Sequence, residues 1–454
     1  MRFGTAPARR VIVVGGGLAG LSAALTCADA GARVTLLEAR PRLGGATWST
    51  RRDGLWMDNG QHVFLRCCTG YRDFLRRLGV ADQVHLQKRL TVPVIAPGPV
   101  VHWLRRQAVP SPFHLALSLA RFGHLTRADR LRAALAVRRL GRVDRDDPRS
   151  DARGFGDWLA EQGGSEAAID GFWDLLIRPT LNLPARDASL ALAAKVFQTG
   201  LLEAAGNADI GWSRIPLQAL HADAGARALA QRGARVVTRA RVRRIEVGDE
   251  PAVRVDGIRL ATDAVVLAVP HERAAALLPE AAGVAAADLR ALGHTPIVNL
   301  HVVFERRVTD LALAAGIGTP LQWVFDRSES AGLHGDGQYL TVSLSAAEDW
   351  VGLSRDALRR RLLPEFARLF PRARSARVLY FAATCERTAT FRQAPGTRRL
   401  RPGCRTAAPG LLLAGAWTDT GWPATMEGAV RSGVAAARAA LDETTPARAA
   451  RAAA

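Results

Sequence analysis

Four β-favouring residues, Val11 to Val14, open the ordered pattern, which then breaks on Gly15-Gly16-Gly17-Leu18-Ala19-Gly20. Apolar positions resume at helical spacing, Leu18, Leu21, Leu25 and Ala28, and a second β-rich run, Val34 to Leu37, ends on Glu38. The spacing predicts strand, glycine turn, helix, strand and acid, with Glu38 standing 18 residues beyond Gly20.

Further along, the pattern changes period several times. From about Tyr71 it predicts helices rich in Leu, Ala and Arg, including the part from Val101 to Val143. Asp144 to Gly156 reads as a charged surface loop, and helices resume around Trp158 and continue to Pro179. A helix from His221 to Gln231 precedes strands over Ala234–Thr238, Arg241–Val247 and Ala264–Val269. Ile297–Phe304 and Tyr339–Leu344 alternate as sheet strands, Leu321–Phe325 is a shorter one, and Arg355–Phe370 reads as a helix. The last stretch, from Gly410, reads as a short strand, a glycine-rich crossing and a helix starting near Thr425, with a frayed tail from Glu443. The predicted class is α/β: a Rossmann-like dinucleotide domain over 1–70, 212–285 and 405–445, and a discontinuous substrate domain over 71–211 and 286–404. The substrate domain combines an antiparallel sheet with a helical cap, and 446–454 is a flexible tail.

The glycine turn carries the first chemistry. Gly15 permits the tight exit from the strand, Gly17 lets backbone approach a pyrophosphate, and Gly20 lets the helix pack closely. The free N–H groups at the helix start, with Leu18 and Ala19, face the diphosphate, and Glu38 can accept hydrogen bonds from a ribose. Next come Ala39, Arg40, Arg42, Gly44, Gly45 and Ala46; a second glycine pair beside arginines favours FAD over a nicotinamide cofactor. Asp58-Asn59-Gly60-Gln61-His62 is a polar turn between apolar runs, in which His62 is either a satisfied turn histidine or a residue lining a flavin site.

With 454 residues the chain is long enough for two or three domains with large cores. Its net charge of +20 is almost all arginine, since Lys88 and Lys195 are the only lysines. Codon bias toward Arg explains that charge, and attraction to an anionic membrane is the alternative; no nucleic-acid motif accompanies it. Nine arginines lie from Arg105 to Arg142 against one acid, Asp129, among Trp103, Phe113, Leu117 and other apolar residues, which suits contact with anionic lipid. The five cysteines form no metal spacing, so no metal is expected, and with no secretory signal they predict a reducing compartment. The predicted location is cytoplasmic, or peripheral on the inner face of a bacterial membrane.

VVGGGLAGLSAAL with EARPRLGGAT, and the terminal MEGAVRSGVAAA, resemble the FAD-dependent amine oxidase and phytoene desaturase superfamily. DNGQHVFLRCCTGYRDFLRRLGV, RTATFRQAPGTRRLRPG and LAGAWTDTGWPATMEGAVRSG are similar to the squalene-associated desaturase-like flavoproteins, described as hydroxysqualene dehydroxylases of hopanoid synthesis. The resemblance implies that Gly15, Gly17, Gly20 and Glu38 hold the ADP half of FAD, with Arg42, Gly45 and Ala46 along it. It implies further that Val242 meets the adenine through its backbone and that Met426 lies near the flavin carbonyls. Directly after Gly415, where the superfamily commonly has an acid for the ribityl chain, this sequence has Ala416, for which Asp419 or water would substitute.

The reaction implied is reductive removal of the hydroxyl of hydroxysqualene, a long apolar isoprenoid, with Gln61, His62 and Asp419 as the expected catalytic residues and His62 titrating near neutrality. No motif identifies the electron donor. Carotenoid desaturation, an amine oxidase with Trp417 and Trp422 in an aromatic cage, and a flavin-binding scaffold remain as alternatives.

Overall fold

The runs that read as strands near the two ends of the chain join one sheet. In the computed structural model, which describes residues 8–98 and 101–442, Arg10–Val14 is the central strand of a five-stranded parallel sheet. Its neighbours are Arg33–Leu37 and Ala264–Leu267, with Arg235–Val237 and Leu411–Leu413 outermost. Parallel strands covered on both faces need apolar residues at every position, and Ala264–Leu267 is buried throughout. Helix Leu18–Asp29 lies against the C-terminal helix Met426–Asp442, close enough that a Cβ on Gly433 would stand 2.1 Å from the carbonyl oxygen of Ala19. The tail expected over 446–454 lies outside the described residues.

A seven-stranded sheet forms the second layer, in the order Val378–Thr390, Thr295–Phe304, Gln338–Ser345, Trp323–Asp326, Leu313–Gly316, Thr91–Ile95, Val101–Arg105. All its pairings are antiparallel except that of Leu313–Gly316 with Thr91–Ile95. Helix Arg355–Leu369 covers it through Leu358, Leu362 and Phe366. A helical cap over residues 116–202 has its own core, in which Phe155 stacks on Trp158 and meets Trp173 and Phe197.

Two expectations need correction, and one strand was not foreseen. Residues 91–95 and 101–105 form a hairpin of the second sheet, where a helical segment was expected; pairing of Leu104 with Val92 decides it over local composition. The 13-residue strand Val378–Thr390 was not expected at all; its apolar first half, Val378–Ala383, carries no period-2 alternation, and only Phe381 is buried. The helix expected from His221 starts at Gln218, runs through a wide turn to Asp223 and continues to Gln231.

Candidate active site

At the end of the first strand Gly15 takes φ +109° and donates its N–H to the Leu37 carbonyl at 2.8 Å. A Cβ there would lie 2.4 Å from the Ala268 oxygen, and one on Gly20 would lie 1.8 Å from the Gly15 oxygen, so both positions require glycine. Gly17 differs. A Cβ on it would meet only the Cα of Gly45, at 3.7 Å, and no side chain caps the helix it begins. The N-terminal N–H groups around Leu18 and Ala19 therefore face open space beside the second glycine pair.

That pair is pinned to the first. Gly44 N–H donates to the Gly16 carbonyl at 2.8 Å, and Gly45, at φ +57°, has no room for a side chain beside Gly17. Glu38 is buried and orders both segments: one carboxylate oxygen accepts from Gly16 N at 2.6 Å, the other from Arg40 N at 2.7 Å. Each oxygen keeps a further lone pair for a ligand hydroxyl. Ala39 and Ala46 border these contacts, and the Ala46 carbonyl accepts from Asn59 Nδ2 at 2.6 Å. The Arg42 guanidinium lies 4.3 Å over the Trp48 ring with its Nη1 buried and unpartnered, and burial lowers its pKa. A glycine cradle with room at Gly17, an uncapped helix end and a half-buried arginine with an unpartnered Nη1 fit a dinucleotide diphosphate.

On the outer side of the sheet Val242 is buried at a bulge, and its carbonyl accepts from Arg273 Nη2 at 3.1 Å.

The C-terminal crossing reaches the same edge of the sheet. Gly415, at φ +150°, donates to Ser432 Oγ at 2.8 Å, and Trp417 Nε1 donates to the Val269 carbonyl at 2.9 Å. Buried Arg401 organises the loop. It donates to the carbonyls of Ala416, Trp417, Thr418 and Trp422, the shortest bond being 2.6 Å to Thr418, and lies 5.0 Å over Phe391. Burial lowers its pKa to about 10, so it stays cationic at neutral pH. Nothing in its local sequence singled it out. Thr425 caps the last helix by accepting from Gly428 N at 3.2 Å, and Met426 begins it, half-buried.

Asp419 is engaged elsewhere. Its carboxylate pairs with Arg398 at 3.2 Å and accepts from Gly421 N at 3.1 Å, while Arg398 also holds Asp146 of the cap at 2.9 Å. Both carboxylate oxygens of Asp419 are thus engaged.

The Asp58–His62 turn divides in two. Asp58 pairs with buried Arg327 at 2.7 Å, and Asn59 accepts at its carbonyl from Asn299 at 3.0 Å and Thr384 at 2.9 Å, joining the turn to the second sheet. Gln61 and His62 are half-buried and keep functional atoms free. His62 Nδ1 lies 2.9 Å from the Gly60 carbonyl, so Nδ1 carries the proton and Nε2 is left as an acceptor. Desolvation lowers its pKa from 6.5, so the expectation that it titrates near neutrality is corrected: the ring is neutral there. Nearby, His221 sits fully buried with Nε2 2.7 Å from Tyr71 Oη, its Nδ1 without a partner, and burial pushes its pKa down to about 3.

Among the described residues no group of three or more His, Cys, Asp or Glu could hold a metal. A groove of ≈ 410 Å³ beside helix Arg355–Leu369 is lined by none of the residues of the glycine cradle, the C-terminal crossing or the Asp58–His62 turn.

A parallel dinucleotide sheet, a glycine cradle, a second helix start at the C-terminal crossing and a separate sheet domain define a two-domain flavin-dependent oxidoreductase. The chain belongs to the flavin containing amine oxidoreductase family, whose model matches residues 18–441, and it is an FAD-dependent oxidoreductase. It is similar to the hydroxysqualene dehydroxylase of Sinorhizobium fredii, 28% identical over 96% of this chain and 99% of that one. It is also similar to the 15-cis-phytoene desaturase of Solanum lycopersicum, 25% identical over 95% of this chain and 78% of that one. A putrescine oxidase solved with putrescine bound superposes with TM-score 0.70 at 20% identity, covering 95% of this chain and 98% of that one, and shares the fold.

Proposed function

We propose that this flavoenzyme removes the hydroxyl of a long isoprenoid alcohol, converting hydroxysqualene to squalene and water. The observation that carries this reading is the end-to-end likeness to a hydroxysqualene dehydroxylase, which spans 96% of this chain and 99% of the relative. In this reading segments 1–70, 212–285 and 405–445 carry FAD, and segments 71–211 and 286–404 enclose the substrate. Gly15, Gly17 and Gly20 accommodate the diphosphate with Arg42, Glu38 holds the adenosine ribose, and Gly415, Ala416 and Met426 border the flavin. A substrate of this kind resides in bilayers, so the protein works at the cytoplasmic surface of a membrane.

Reduced FAD, when bound, supplies a hydride to the carbon that loses oxygen. The chain must then manage the oxygen, because hydroxide leaves poorly without a proton. Gln61, whose Nε2 donates one N–H to the His62 carbonyl at 3.4 Å, offers its other amide N–H to the hydroxyl oxygen. In its neutral form His62 accepts a hydrogen bond from the substrate hydroxyl at Nε2; once Nε2 has taken up a proton from solvent, the depressed pKa makes the ring a strong acid, and it gives that proton to the hydroxyl oxygen, which leaves with its own hydrogen as water.

The test is anaerobic incubation of photoreduced holoenzyme with hydroxysqualene, with the product identified by mass. Squalene is expected, at a rate that rises as pH falls below about 6.5. His62→Ala is expected to lower turnover by about 10²-fold or more while FAD stays bound. Unchanged turnover in the variant removes His62 from the mechanism. Reduced enzyme inert toward hydroxysqualene, with oxidised enzyme bleached by phytoene, replaces the dehydroxylase reading by a desaturase.

A further inference from the structure

Among the described residues, seven of the ten exposed large apolar side chains fall between Val101 and Leu135. They come from one strand, the loop that follows it and two helices. Trp103 projects from strand Val101–Arg105, Val109 and Phe113 stand on the loop that follows, and Leu117 lies on helix Ala116–Ala120. Leu131 and Leu135 lie one turn apart on the outer side of helix Arg127–Leu140, whose inner side buries Ala133, Ala136 and Leu140 in the cap core. Phe113 is 69% exposed and Leu131 63%, more than any other large apolar residues except Ile258, also at 63%.

The patch is held firmly. Ser118 Oγ donates to the Arg105 carbonyl at 2.7 Å and accepts from Arg105 N at 2.9 Å, and Ser111 Oγ donates to the Leu202 carbonyl at 2.7 Å. Arg130 reaches the Ala120 carbonyl and so ties the two helices.

Its charge has one sign. The only acid between residues 101 and 143 is Asp129, which is buried and bonded to Thr126 and Ser165. Of the nine arginines there, Arg106 is neutralised by Asp209 and Arg132 lies 3.6 Å from Asp129; the other seven meet no carboxylate among the described residues. Arg127 and Arg138 stand four residues before Leu131 and three after Leu135, on the same helical stripe, and Arg105 lies 4.0 Å over the Trp103 ring. An apolar centre with a cationic rim complements an anionic bilayer: the side chains enter the acyl boundary while the long guanidinium stems reach headgroup phosphates.

We propose that this face, built from strand Val101–Arg105, the loop to Phe113 and the helices carrying Leu117, Leu131 and Leu135, inserts shallowly into an anionic lipid bilayer. The contact has two separable parts. Insertion of Phe113, Leu131 and Leu135 supplies a component that salt does not screen, and the arginine rim supplies one that it does.

Sedimentation of FAD-loaded protein with phosphatidylcholine vesicles, with and without phosphatidylglycerol, at low and high salt, tests both parts. The protein is expected to favour the anionic vesicles and to retain part of its binding at high salt. Phe113→Ser and Leu131→Ser should each weaken partitioning about tenfold. Arg127→Glu with Arg138→Glu should remove most of the salt-sensitive part. All four side chains are exposed, so unchanged FAD absorbance and melting temperature serve as the folding control. Serine variants that bind like the parent, or a parent that binds neither vesicle, overturn the proposal. So does a solution dimer that the same serine substitutions abolish, which would make the occupant a second copy. Vesicle binding is read without substrate, so failure of the dehydroxylase reading leaves this outcome intact.

Discussion

At Gly17 the backbone has φ −75° and ψ −178°, which any residue can adopt, and an added Cβ would touch only Gly45 Cα at 3.7 Å. Three residues on, a Cβ at Gly20 would overlap the Gly15 oxygen at 1.8 Å. The two glycines of one motif therefore fail differently. Gly17→Val should fold with the parent's circular dichroism yet lose FAD, because its branched side chain fills the space before the helix start. The parent should gain about 2.7 kcal/mol from FAD at a hundredfold excess over its dissociation constant, and the variant nothing. A variant that retained full flavin absorbance after gel filtration would contradict this placement of the diphosphate.

Between elements, one buried carboxylate joins the C-terminal helix to a helix that follows the first segment of the dinucleotide domain. Helix Thr69–Arg77 has no side-chain cap of its own. Glu427, from the C-terminal helix, supplies it by accepting from Gly70 N at 3.0 Å and Tyr71 N at 2.6 Å, and it pairs with Arg431 at 2.6 Å. Its side chain is fully buried, so water cannot replace it. Glu427→Ala should cost about 2–3 kcal/mol in urea unfolding, with Glu427→Gln between it and the parent. A loss below about 0.5 kcal/mol would show that the helix start finds other partners.

For the whole molecule, the buried histidines set how stability responds to acid. His221 and His301 are fully buried, and burial pushes both down to about 3. Unfolded histidines protonate near pH 6.5, so as pH falls the unfolded state binds protons first. Stability is therefore full above about 6.5 and declines progressively toward pH 3. Ion-paired carboxylates such as Asp209 and Asp129, held below their usual range by Arg106, Arg66 and Thr126, are lost only further down that range. Between about pH 6.5 and 5 the decline thus belongs to histidines. Melting temperatures of the apoprotein at pH 7 and pH 5 should differ, and His301→Gln should narrow the gap; a flat profile in the parent would refute the assignment.

Elements whose signal is local were legible in the sequence. The βαβ unit needs only an apolar run, a glycine turn and helical spacing within 28 consecutive residues, and those preferences act on the chain wherever it lies. The closing strand and helix were legible for the same reason, and so was FAD, whose cradle is built from that turn. Roles that depend on a distant partner were not legible. Arg401 looks like any of the chain's many arginines until the fold sets four carbonyls around it, and Asp419 looks available until Arg398 reaches it. Residues 101–105 became a strand because 91–95 lay ready to pair, and Asp58 became scaffold because Arg327, 269 residues away, needed a counter-charge in the interior. Local sequence sets backbone preference; burial and pairing across the fold decide which polar atoms remain free for chemistry, as Gln61 and His62 do while Asp58 and Asn59 do not.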